Sequence, residues 1–227
     1  MKRRVLITGT SRGIGRALSL YFGAEGAEVL LLSRPSDDQT RTEQLLREQE
    51  SVFESYECHL GERSSVDAAL ESLLSKGPPG VIIHNAGIIE RAAAQQVGDD
   101  SWDRQIEVNL TAPMRITRSV LPAMLKKGTG RILFVSSISA VLGSKTQGAY
   151  HASKAGLLGY MRCLAEELSD TGLMTMALLP GSVDTDMLKG SPFPPRMSPQ
   201  DIAKTLAFYA TEAPLASNGA TVESFGI

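Results

Sequence analysis

Short, almost unbroken apolar runs alternate along the chain with longer stretches whose apolar residues recur at helical spacing. Residues 4–9 (RVLITG) read as a buried strand and 13–26 as a helix closed by glycine. A second strand follows at 28–33, a polar helix near 37–50, and a third strand at 53–60. The segment 64–76 begins with serines that suit helix capping and carries leucines at helical spacing. Strand patterns recur at 80–87, 130–137, 173–181 and 219–225. Between them lie helical patterns at 100–127, with Pro113 and Pro122 inside, at 148–169, and at 198–211 behind a serine–proline start.

This regular alternation predicts right-handed βαβ units, hence a doubly wound α/β fold with a mainly parallel sheet and helices on both faces. The strands lack polar alternation, as strands buried on both faces do. No internal repeat and no linker divides residues 1–227, so one domain is expected. The proline-rich segment 186–199 leaves the sixth strand at its carboxyl end, where such sheets bind ligands. It is a candidate lid.

Charge removes several classes of function. The net charge of −2 offers nothing to a nucleic-acid backbone or an anionic membrane. The basic start Lys2-Arg3-Arg4 reads as a solvated end. The run VLITG is too short for a secretion signal, no stretch is long enough to span a bilayer, and Cys58 and Cys163 have no framework spacing. A cytoplasmic protein with reduced thiols is expected. His59, His84 and His151 are scattered, and no structural metal is expected.

The sharpest local signal is TGTSRGIG, Thr8 to Gly15, between the first strand and the first helix. Its glycines, Gly9, Gly13 and Gly15, let the chain turn tightly and let a pyrophosphate approach the helix N-terminus. The spacing is TGxxxGxG, and it resembles the cofactor loop of the short-chain dehydrogenase/reductase superfamily in its single-domain, Rossmann-type form. The resemblance continues in order through HNAG (84–87), VNL (108–110), SS (136–137), YHASK (150–154) and PGSVDT (180–185). It implies a nicotinamide cofactor held by Gly9, Ser11, Arg12, Gly13, Ile14 and Gly15, by Asn85, Ala86 and Gly87 beside the ribose, and by Tyr150 and Lys154. Pro180, Gly181, Val183 and Thr185 would meet the nicotinamide side. The family places an aspartate after strand three; here His59 and Leu60 stand there, and Leu60 is expected to line the adenine. The ending VESFGI stands where many relatives carry a DGG-like sequence and a further tail.

Ser33-Arg34, at the end of the second strand, presents no carboxylate to repel a 2′-phosphate, and Arg34 can pair with one. Arg12 offers a second positive charge, so NADP(H) is expected over NAD(H).

Tyr150 and Lys154, at i and i+4, share one helix face. A tyrosine's pKa near 10 makes it a poor base, but an ammonium about 4 Å away is worth about 4 kcal/mol, enough to bring it toward neutrality. Alone, that spacing is common on solvated helices. The resemblance assigns it chemistry, with Ser137 orienting the substrate oxygen and Asn109 maintaining a water relay to Lys154. Ser136, Ser139 and Ser144 compete on chemistry, but only Ser137 has the family spacing; His151 points off another face. The expected activity is NADP(H)-dependent hydride transfer to or from a ketone or aldehyde, extending to 3-oxoacyl-thioester-like substrates, by a homo-oligomer (dimer or tetramer). The alternative is a catalytically silent NADP-binding regulator or scaffold; an epimerase or lyase would need a larger substrate region.

Overall fold

The computed structural model describes residues 3–226. Lys2, in the basic start, and Ile227, in the VESFGI ending, lie outside the described residues. Seven strands form one sheet: β1 (Arg4–Thr8), β2 (Glu28–Ser33), β3 (Val52–Glu57), β4 (Val81–His84), β5 (Gly130–Val135), β6 (Leu173–Pro180) and β7 (Ala220–Ser224). Their order is β3-β2-β1-β4-β5-β6-β7, and every pairing is parallel. The order reverses between β1 and β4, which opens a crevice at their carboxyl ends.

Helices α1 (Gly13–Ala24), α2 (Asp37–Glu48), α3 (Arg63–Ser75), α4 (Asp99–Ile106), α5 (Ala112–Lys127), α6 (Gly148–Glu167) and α7 (Pro199–Thr211) link the strands. Alternate residues of the central strands feed two cores. Leu6, Leu30, Ile82, Ile132 and Phe134 join side chains of α3, α5 and α6. Val5, Ile7, Val29, Ile83 and Leu133 join those of α1 and α7 on the other face. Two buried faces account for the unbroken apolar strand sequences. Among the described residues no helix is long and apolar enough to cross a membrane.

Three local expectations are corrected. Arg4 is not solvated: its Nε donates to Glu28 at 3.0 Å and its Nη1 to the carbonyls of Lys76 and Gly77. The serines of α3 do not cap it, because Glu62 holds that position without a side-chain bond. The Ser65 hydroxyl instead accepts the His59 N–H at 2.9 Å. The expected helix at 100–127 is divided by a π-helical turn, Glu107–Thr111, ending one residue before α5. Pro113 has no N–H to return to the carbonyl of Asn109, so an ordinary i→i+4 bond cannot form there. Ser198 and Asp201 form a reciprocal capping box ahead of α7, with Pro199 at its first position.

Candidate active site

The glycine loop is built between β1 and α1. Gly9 has φ +72°, and a Cβ there would sit 2.8 Å from Ala86 Cα. At Gly15 a Cβ would sit 2.0 Å from the Gly9 carbonyl oxygen, so only glycine fits. Arg12 holds the N-cap position of α1 without a side-chain cap, leaving the first N–H groups directed at the crevice. Ser11 and Ile14 flank that opening. The segment Asn85–Gly87 bends out of β4 to brace the loop. Asn85 Nδ2 donates to the carbonyls of Thr8 and Gly9 at 3.0 and 3.1 Å. The Thr8 hydroxyl accepts from the N–H groups of Asn85 and Ala86 at 3.1 and 3.0 Å.

Sequence reasoning missed how α2 grips this loop. The Thr42 hydroxyl lies 3.0 and 3.1 Å from the carbonyls of Thr10 and Ser11, and buried Thr10 donates to Gln39 Oε1 at 2.8 Å. The sequence carries no signal of it, because Gln39 and Thr42 are two more polar residues on a polar helix.

At the ribose end, Ser33 closes β2 and its carbonyl accepts the Cys58 N–H at 3.0 Å. Arg34 is exposed, and among the described residues no carboxylate pairs with it. Arg12 is engaged, 3.6 Å from Asp38 and 3.3 Å from Asp186. A carboxylate, Asp38 at the start of α2, thus stands by Arg12 although β2 itself ends without one. His59 Nε2 lies 3.5 Å from Glu57, and the Leu60 side chain belongs to the buried cluster that holds Tyr56 and Cys58.

At the other end, Asn109 is fully buried in the π-helical turn. Its Nδ2 donates to the Ile88 carbonyl at 2.9 Å and to Ser153 Oγ at 3.0 Å, and its Oδ1 accepts the Ile88 N–H at 2.8 Å. Lys154 Nζ donates to the Val135 carbonyl at 2.9 Å, and Ser136 Oγ donates to the Lys154 carbonyl at 3.1 Å. Ser137, just past β5, accepts from the Ser139 N–H at 3.1 Å. Gly87 leaves room for this cluster, since a Cβ there would lie 3.3 Å from Lys154 Nζ.

Burial dominates the electrostatics of Tyr150 and Lys154. Burial pushes the Tyr150 hydroxyl above its ordinary pKa, while Ser137 and Arg91 pull it down. The Lys154 ammonium sits 5.8 Å from the Tyr150 ring centre, and burial brings its own pKa down to about 8. The His151 ring is 6.4 Å from that of Tyr150, and its Nε2 is buried without a partner.

The loop after β6 closes the crevice. Gly181 N donates to the Ser224 carbonyl at 2.7 Å, and buried Val183 bridges to Met197. Thr185 packs against Gly13, where its Cγ2 would lie 3.1 Å from an added Cβ. Segment 186–199 is mostly irregular after the single turn Asp186–Leu188. Met187 Sδ lies 4.0 Å from the Tyr150 hydroxyl, and Lys189 pairs with Asp186. A cavity of about 650 Å³ lies between this segment and α1, with Arg12, Arg16, Thr185 and Phe193 in its wall.

The family model described as "short chain dehydrogenase" matches residues 3–192. The chain belongs to the short-chain dehydrogenase family. It is therefore an oxidoreductase of a family that uses nicotinamide nucleotides. Among curated family members it is 31% identical over 230 residues to the 3-oxoacyl-[acyl-carrier-protein] reductase of Pseudomonas aeruginosa, covering 96% of this chain and 93% of that one. It is 29% identical over 234 residues to the reductase of the same name from Salmonella typhimurium, covering 97% and 95%. A crystal structure from Beutenbergia cavernae, described as an NAD(P)-dependent gluconate 5-dehydrogenase with bound NADP at low occupancy, superposes with a TM-score of 0.91 at 29% identity, covering 97% of this chain and 94% of that one. A 3-oxoacyl (acyl-carrier-protein) reductase of Agrobacterium tumefaciens with NADP bound has the same fold, with a TM-score of 0.91 at 23% identity over 99% of this chain and 93% of that one.

Proposed function

We propose that the protein is an NADP(H)-dependent reductase of a ketone or aldehyde. The observation that carries this reading is the convergence of four buried groups, Asn109, Ser137, Tyr150 and Lys154, beside an uncapped helix N-terminus. The residues present suit a dinucleotide. The open N–H groups of α1 and the glycines before them accept a pyrophosphate. Arg34 has no carboxylate partner among the described residues and takes the 2′-phosphate, with Arg12 sharing its charge between Asp38 and Asp186. NADP in two relatives' structures supports the same choice.

A bound nicotinamide nucleotide supplies the hydride. Ser137 holds the carbonyl oxygen of the substrate, and Tyr150 gives that oxygen its proton, completing the alcohol. Burial keeps Tyr150 protonated at neutral pH, as a proton donor must be. Lys154 holds the ribose, its charge orients the phenol, and Asn109 keeps the path by which Tyr150 is reprotonated from solvent. Names of curated relatives put 3-oxoacyl thioesters among the substrates to try. The working unit is a homo-oligomer through α4–α5 and α6.

The test is a carbonyl panel followed at the nicotinamide absorbance with NADPH and NADH side by side. Turnover with NADPH that Tyr150→Phe abolishes supports the reading. Full turnover by Tyr150→Phe removes the mechanism, and a preference for NADH removes the role of Arg34.

A further inference from the structure

One more cation faces the space above Tyr150. Arg91 lies in the loop that leaves β4, and the chain fixes it from both sides. The next residue, Ala92, bridges to Gln147 and donates its N–H to the Thr146 carbonyl at 2.9 Å, directly ahead of α6. Arg91 is thereby tied to the start of the helix that carries Tyr150. Its guanidinium crosses to the candidate lid. Nη1 donates to the Lys189 carbonyl at 3.1 Å and Nη2 to the Met187 carbonyl at 3.2 Å. The side chain of that same Met187 covers the Tyr150 hydroxyl.

The guanidinium is poorly satisfied. Arg91 is partly buried, its Nε is buried without a partner, and among the described residues no carboxylate pairs with it. The adjacent Glu90 is held by Arg104 through two bonds of 3.1 and 2.9 Å. A partly desolvated cation that rests on neutral carbonyls gains most from a carboxylate, whose two oxygens match its fork. Its field reaches the reacting hydroxyl, where it opposes the effect of burial on Tyr150.

We propose that Arg91 is a specificity-determining residue that selects carbonyl substrates bearing a carboxylate, which takes the guanidinium in place of the Met187 and Lys189 carbonyls. The inference deepens the reductase reading and rests on it. It narrows the substrate to oxo acids, with the carbonyl under Tyr150 and the carboxylate toward the lid. No new bond chemistry is involved, because the anion is held and not transformed.

The experiment pairs acetoacetate and levulinate with their methyl esters and compares kcat/KM of acid over ester in the native protein, Arg91→Gln and Arg91→Lys. The native ratio favours the acid, falls about tenfold to a hundredfold in Arg91→Gln, and recovers in part in Arg91→Lys. An equal loss for acid and ester means that Arg91 only props the lid, and overturns the proposal. Saturation-transfer NMR of the same probes reads anion selection without turnover. Acids that bind no better than their esters overturn the proposal as well. Acids that bind selectively through Arg91 while no probe turns over support the anion site and strike the reductase reading instead.

Discussion

At Tyr150, burial outweighs the neighbours that pull its pKa down. The Lys154 ammonium lies 5.8 Å from the ring centre, and burial holds the phenol above its ordinary pKa, so that it stays protonated at neutral pH. Tyr150→Phe should lower kcat by about 10²–10⁴-fold while nucleotide binding, followed by fluorescence, persists. The two cysteines make a second check at this scale. Burial pushes the Cys58 thiol up to about 12, whereas Cys163 is exposed. A thiol reagent such as Ellman's should therefore leave Cys58 unmodified in the native protein and titrate both thiols in denaturant. If both react at once in the native protein, the packing around Cys58 is wrong.

Among the elements, α2 acts on the nucleotide site without lining the reacting end. Thr42 and Gln39 tie its first turns to Thr10 and Ser11 in the glycine loop. Thr42→Val should raise the Kd for NADPH about three- to tenfold with kcat nearly unchanged, as titration and steady-state kinetics would show. A fall in kcat at constant Kd would contradict this. Such ties join residues far apart in the chain, and no periodicity reports them. The strands were legible because burial on both faces writes itself as continuous apolar sequence. The π-helical turn at Glu107–Thr111 was not, since slipping one hydrogen bond leaves the apolar rhythm almost intact. Pro113 was visible in the sequence, but its meaning came only with the backbone. The position of Arg91 was equally hidden, because it depends on the Ala92–Gln147 bridge and on where the lid folds.

Across the whole molecule, one buried group links stability to acid. His84 ends β4, stacks on Phe134 at 4.8 Å between ring centres, and shares a 2.8 Å hydrogen bond with Thr117. Burial lowers its pKa to about 3 from an ordinary 6.5. Between those values the unfolded chain binds a proton that the folded one refuses. The stability contribution is thus complete above pH 6.5 and is lost as pH falls through that window toward 3. Urea midpoints should drop from neutral pH to pH 5, and His84→Gln should flatten that slope. An unchanged slope would place the acid sensitivity elsewhere.

The side chain of Asn109 behaves, toward Ile88, as a short length of neighbouring strand. It gives an N–H to one side of that residue's peptide groups and takes one from the other, as a paired peptide does in a sheet. Ile88 lies in a loop, yet its amide proton is locked to a group with no solvent access. Its hydrogen exchange should therefore run at the pace of the sheet interior, far slower than its loop neighbours, and Asn109→Ala should release it. The loop between the nucleotide crevice and Arg91 would then owe its rigidity to one amide.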